Sequence, residues 1–361
     1  MSDGTTTTDT TCEPAPGLGL LELSDGDQPK ALVATDEGLW VAGGRKSDAF
    51  VSAISFDGRA ETLLTIANAR ASALTLVGGD TLVVAGRIGG DPDDPAQHGI
   101  FLRGLSLDGD ELWAVRFGSW PSSYVAALAR GPDESVYVAG TTDDAPADPN
   151  GGPFLLKYDA AGNLERSIDL DTNGYLSVED MTANEAGALY AAVRVDYTAA
   201  PVVRALGDDG GVLWELPSQQ LGCSFCNKLF AADDGDLYVA GTSKGDVSLA
   251  RVSPGGEVLW TSIVAHEPSD EVGVLTVTAD GAYVFARSFE GTDSESHLLA
   301  VHFGPDGEQL NIDATEGPRT EMVSAAASTP AGDVFLAGVS MPGFNRTGRT
   351  RAFVMDWPEA P

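Results

Sequence analysis

The run Asp169-Leu-Asp171-Thr-Asn173-Gly174-Tyr175-Leu-Ser177 has the residue types and spacing of a loop that wraps a hard cation. Calcium takes oxygen ligands at flexible geometry, and side chains at alternate positions followed by a glycine bend supply them. Asp169, Asp171 and Asn173 would bind through their side chains and Tyr175 through its carbonyl. Ser177 would add a hydroxyl or a bridging water, and Asp180 stands where a closing carboxylate belongs. A helix returns that last ligand in a helix–loop–helix calcium site, whereas residues 178–183 read as a strand, so a different ligand geometry is required. The same residues also make a good turn by turn chemistry alone. Calcium is the one cofactor this sequence suggests, and no organic cofactor is expected.

The three cysteines are Cys12, Cys223 and Cys226. Cys223-Ser-Phe-Cys226 has the spacing of a redox motif or half a zinc site. Zinc would need a second ligand pair, which is absent, and a redox pair normally opens a helix after a strand. A local disulfide is the preferred reading, beside a free pair and a redox pair. Cys12 is expected to stay unpaired or to pair between molecules. His98, His266, His297 and His302 form no metal pair; His297 and His302, an odd number apart on one strand, face opposite sides. No His-Glu-x-x-His or phosphate loop is present. Ser106-Leu-Asp108-Gly109 with Trp113 departs from the glycosidase-type Asp-box, because its Asp and Gly are adjacent.

The elements that must position these residues recur. Leu39-Trp-Val-Ala-Gly43 returns as Val83-Val-Ala-Gly86, Val136-Tyr-Val-Ala-Gly140 and Leu189-Tyr-Ala-Ala192. It returns again as Leu237-Tyr-Val-Ala-Gly241, Tyr283-Val-Phe-Ala286 and Val334-Phe-Leu-Ala-Gly338. The alanine falls at 42, 85, 139, 192, 240, 286 and 337, a spacing of 43 to 54 residues that suits one four-stranded unit per repeat. Asp-Gly turns such as Asp234-Gly235 and Asp108-Gly109 supply the positive φ of tight hairpins. Leu112-Trp113, Leu213-Trp214 and Leu259-Trp260 mark the last strand of a unit, their indoles placed to pack between neighbours. The pattern predicts an all-β, seven-bladed β-propeller of four-stranded antiparallel blades.

The seventh unit ends after its third strand, Ala352 to Trp357, and an orphan strand, Leu18 to Leu23, precedes the first. Closing the ring with the N-terminal strand 18–23 as the outer strand of the last blade removes exposed edges. Residues 1–16 then read as a disordered Thr-rich tail or tether, and 17–361 as a single domain.

Val136-Tyr-Val-Ala-Gly140, Leu237-Tyr-Val-Ala-Gly241 and the Gly-x-x-Leu-Trp turns resemble the repeats of bacterial secreted and lipid-anchored seven-bladed propellers. They are also similar to the blades of quinoprotein-type propellers, although the eighth blade and cofactor-contacting residues of a quinone enzyme are missing. The resemblance implies the fold and an extracytoplasmic setting, and it carries over no site residues.

Lys and Arg total 21 against 54 Asp and Glu, a formal net charge of −33. Such a surface repels phosphate backbones and anionic membranes, which argues against nucleic acid as a partner. No apolar run approaches the ~20 residues of a membrane span. Met1 to Cys12 lacks an apolar signal core, which read literally means cytoplasmic. The threonine run nonetheless looks like the tether after a cleaved export or lipoprotein signal. The expectation is therefore a periplasmic or lipid-anchored protein, monomeric, with its signal outside this sequence.

In a propeller, connections between the second and third strands and between blades share one face, the top. Here those loops vary: 87–98, 141–152, 288–296 and 339–350. Two are acidic, with Asp91, Asp93 and Asp94 in one and Asp143, Asp144 and Asp148 in another; such runs are usually solvated. Recognition sits on loops carried by a rigid scaffold. The expectation is a non-enzymatic binding or scaffolding propeller that engages protein or glycan through its top face. The alternative is a metal-dependent hydrolase or lactonase with its site at the top of the central channel.

Overall fold

The computed structural model describes residues 18–89, 97–118, 123–142, 152–168, 177–184, 186–194, 201–207, 209–266, 269–289, 296–315, 319–342 and 349–357. They form seven four-stranded antiparallel sheets. The inner strands, in blade order, are Asp27–Ala34, Ala69–Val77, Tyr124–Arg130, Ser177–Ala183, Phe225–Ala231, Ser269–Thr278 and Arg319–Ser328. In the seventh sheet Leu20–Glu22 pairs with Arg351–Asp356, with Leu21 opposite Val354. The closure expected from Leu18–Leu23 is thus made by three residues at its centre. Arg351 adds an ion pair to Glu22 at 2.6 Å across the same junction.

The core is distributed around the ring. Among the described residues seven apolar clusters occur, each drawn from two adjacent blades. The cluster between blades 1 and 7 joins Leu39, Val41 and Phe50 to Phe335 and Val354, with Leu21 and Leu23 packed against it. Successive strand residues point to opposite sheet faces, and both faces of a blade meet a neighbour. The second strand must therefore be apolar throughout, and Leu39–Ala42 are all buried. The outer strand of blade 2, Glu111–Phe117, alternates exposed with half-buried residues instead.

The glycine of the Ala-Gly signature has a steric origin. Every inner strand carries a β-bulge, at Lys30, Ser72, Ala126, Glu179, Asn227, Gly273 and Ser324. The extra residue pushes a backbone carbonyl toward the second strand. A Cβ at Gly43, Gly86, Gly140 or Gly241 would stand 2.0–2.1 Å from that oxygen. Blades 4 and 6 keep the bulge yet carry Val193 and Arg287 at this position, so the close carbonyl approach belongs to the glycine-bearing blades and not to the bulge alone.

The inner strands are sheet edges, and unpaired edges are a hazard that proteins cover. Side chains from adjacent inner strands cover these. Asn227 Nδ2 donates to the Val272 carbonyl at 3.3 Å, Ser324 Oγ to the Pro29 carbonyl and Ser328 Oγ to the Val277 carbonyl at 3.1 Å. Outer strands are latched as well. The indole N–H groups of Trp113, Trp214 and Trp260 donate to the carbonyls of Ala160, Pro254 and Pro305 in the following blade. The indoles pack between neighbours as their sequence position predicts.

Candidate functional site

Segments 90–96, 143–151, 195–200, 290–295 and 343–348 connect second to third strands, and 119–122, 169–176, 267–268 and 316–318 connect blades; all lie outside the described residues. Asp169, Asp171, Asn173 and Tyr175 of the cation loop and both acidic runs fall among them. The structure does place Ser177 and Asp180, at the start of the inner strand of blade 4. Ser177 Oγ donates to Glu179 at 2.9 Å, and Glu179 pairs with Arg194 at 3.0 Å. Asp180 accepts the Met181 N–H on one oxygen and the Leu229 N–H of blade 5 on the other, each at 2.9 Å. Burial pushes the Asp180 carboxyl above its usual range, against the pull of Lys228 and the two N–H groups.

A basic pocket of about 150 Å³ opens at the junction of blades 1 and 2. Its described walls are Gln28, Lys30, Gly44, Arg70, Ala71, Ser72 and Arg87, with no carboxylate among the described residues. Lys30 and Ser72 are the bulge residues of adjacent inner strands. Arg70 and Arg87 stand directly opposite each other on neighbouring strands of blade 2. Arg70 donates to the Lys46 carbonyl at 2.8 Å, and its guanidinium lies over Gly44. Sequence reasoning missed this group because its residues belong to four strands of two blades.

Cys223 and Cys226 form a disulfide, as preferred from their spacing. Cys226 lies inside the inner strand of blade 5 rather than in the connecting loop, and Cys223 follows the 3-10 turn Ser218–Leu221. Both are buried with Leu216, Leu221 and Leu229, so the bridge pins the blade 4–5 connection to the inner strand.

A Ser–His–Asp grouping also emerges where blade 5 leads into blade 6. His266 Nδ1 lies 3.2 Å from Ser288 Oγ and 3.6 Å from Asp270 Oδ1. Acyl-transfer triads use one imidazole nitrogen for the carboxylate and the other for the serine. Here one nitrogen faces both, and Ser288 and Asp270 are buried cross-strand partners. The arrangement is a buried polar knot. Burial pushes the Asp270 carboxyl upward, while Ser288 and His266 pull it down.

The opposite face repeats a structural device. Tyr137 pairs across strands with Lys157, Tyr238 with Arg251 and Tyr283 with His302. Each basic partner also meets an acid from the short inner turn. Lys157 reaches Asp133 at 2.7 Å and Arg251 reaches Asp234 at 2.6 Å, while His302 lies 3.8 Å from Asp280. His302 stacks on Tyr283 at 4.1 Å, and burial lowers its pKa despite Asp280. His297, on the same strand, pairs in register with Ser288.

Fold and face together define a seven-bladed β-propeller with a basic pocket where two blades meet. No protein-family model matches the chain, and no curated protein matches it. Solved structures share the fold. A prolyl endopeptidase is 12% identical with a TM-score of 0.56, the match covering 94% of this chain and 51% of that one. The chain thus spans about half of that enzyme. An uncharacterized protein from Listeria monocytogenes EGD-e is 9% identical with a TM-score of 0.55, covering 91% and 92% of the two chains. The Dos1 propeller is 11% identical with a TM-score of 0.54, covering 91% and 78%. Among the described residues no helix is long and apolar enough to cross a membrane.

Proposed function

We propose that this chain is a non-enzymatic, exported binding propeller whose top face engages a protein or glycan partner. The observation that carries the reading is the basic pocket between blades 1 and 2, a concave surface on the face that also carries the variable connections. The Cys223–Cys226 bridge and the resemblance to secreted and lipid-anchored bacterial repeats favour an oxidising compartment.

The experiment is a glycan array and a panel of candidate protein ligands, run with the full chain and with a variant whose 90–96 loop, which follows Arg87 of the pocket in the chain, is cut to a two-residue turn. Binding that the loop replacement abolishes supports the reading. Turnover of ester or lactone substrates that survives a chelator-free wash and disappears with chelator favours the metal-dependent hydrolase instead.

Calcium at Asp169–Ser177 belongs to the same proposal, as a brace for the entry into blade 4. The ligands would be Asp169, Asp171, Asn173, Tyr175, Ser177 and Asp180, whose two oxygens each accept one backbone N–H and keep a lone pair for the cation. Calorimetric titration of chelator-treated protein with Ca²⁺ tests it, and silence at millimolar metal removes it.

A further inference from the structure

We infer that the pocket between blades 1 and 2 is an oxyanion site, taking a sulfate, phosphate or carboxylate group carried by a small ligand. The inference rests on the binding reading of the top face and names the chemistry of its ligand. With 54 acids against 21 Lys and Arg, a basic side chain in this chain has carboxylates in excess to pair with. Arg45, Lys157, Arg204 and Arg251 each do so. Among the described residues Lys30, Arg70 and Arg87 form no ion pair, and neither do Lys46, Arg130 and Lys244; what sets the first three apart is that they converge on one pocket that no described acid lines. Asp27, next to Gln28, is already held by two guanidinium bonds from Arg45, at 2.6 and 3.1 Å.

The arrangement works against folding unless a ligand answers it. Arg70 and Arg87 are direct cross-strand partners, and like charges directly opposite destabilise a sheet. An anion between them turns that repulsion into charge-assisted hydrogen bonds, for which the planar guanidinium fork suits oxyanions. Arg70 is pre-positioned for the task. One N–H is tied to the Lys46 carbonyl, the guanidinium rests over Gly44, and its other donors have no partner among the described residues. Gln28 and Ser72 add neutral polar groups at the rim.

Size and field narrow the ligand. A volume of about 150 Å³ admits one oxyanion group and little more, so any larger body must lie outside. A long polyanion would in addition meet the field of a chain with net charge −33. The site therefore selects a single compact anionic group.

The test is calorimetric titration of the full chain with sodium sulfate, sodium phosphate and sodium glucuronate, against sodium chloride at matched ionic strength. Two variants probe the pocket. Arg87→Gln removes one charge. Gly44→Ala keeps every charge, but its Cβ would come within 2.5 Å of Arg70 Nη1, the far end of a flexible side chain, and so unseats Arg70 without disturbing backbone. Arg59→Gln deletes an exposed charge from a bottom turn as the control. Saturable binding of sulfate or phosphate is expected, weakened about tenfold in both pocket variants and unchanged in the control. Displacement of sulfate by glucuronate would identify an acidic sugar as the source, and its failure a free inorganic anion. Anion binding no stronger than chloride, or equal in all three variants, overturns the inference. If partner binding by the top face persists in Arg87→Gln while no anion binds, the pocket assignment falls alone and the binding reading stands.

Discussion

Gly256, in the last turn of blade 5, lies directly beneath the indole of Trp214 from blade 4, where a Cβ would come within 2.8 Å of Cγ. The same turn accepts the indole N–H, through the Pro254 carbonyl at 2.9 Å. Gly256 has φ +85°, a region L-residues avoid. Gly162 under Trp113 and Gly307 under Trp260 repeat the relationship. One glycine therefore serves both the hairpin and the latch.

Trp214→Phe should cost about 1 kcal/mol, the net worth of one hydrogen bond. Gly256→Ala should cost at least as much, since it combines positive-φ strain with the clash. Urea denaturation of both variants measures this. A Gly256→Ala protein as stable as wild type would show that the turn is not held by the indole.

Asp270 sets a pH dependence. Burial raises its pKa in the folded state, so the folded protein holds that proton more tightly than the unfolded chain does. Its contribution is most favourable below the ordinary carboxylate range and declines as pH rises through the elevated value. Asp270→Asn keeps the shape without the charge. The variant should be more stable than wild type near neutral pH and show a flatter stability profile. Urea midpoints measured from pH 4 to 8 decide it, and a variant less stable than wild type at pH 7 contradicts the account.

Asp133 acts with the opposite sign. Hydrogen bonds from Lys157 and Ser135 hold its carboxyl down to about 2. Its stabilisation is present above the ordinary carboxylate pKa and is lost as the pH falls from there to about 2. Half of the side chain is exposed, so Asp133→Asn should cost under ~1 kcal/mol at pH 7. The difference between the two proteins should vanish at the acid end of a pH-dependent unfolding series.

The Cys223–Cys226 bridge spans a sequence separation of only 3, so it removes little entropy from the unfolded chain. Replacing both cysteines with serine should cost about 2 kcal/mol or less by loop closure. Thermal melts with and without reductant should show a matching decrease for wild type and none for the double variant. A peptide map linking Cys12 to Cys223 would contradict the local pairing.

Much of the scaffold is local and so was readable. Leu237-Tyr-Val-Ala-Gly241 preceded by Asp234-Gly235 states a turn and a doubly buried strand within eight residues. The unpaired Leu18–Leu23 and the missing last strand of the seventh unit state the closure by elimination. The reason for the Ala-Gly glycine was hidden, because a bulge at Lys30 or Ser72 changes register by one residue without leaving a signature in the residue types.

By itself, then, the sequence determined the blade count, the hairpin turns and the strand that closes the ring, and it favoured the Cys223–Cys226 pairing that the structure then showed. Each depends on periodicity or on residues a few positions apart. Only the tertiary structure brought Lys30, Arg70 and Arg87 to one pocket, joined His266 to Asp270 and Ser288, and gave each tryptophan its carbonyl. Those contacts depend on where one blade meets the next or on which strands pair, and such distances are set by the closed ring, not by spacing along the chain.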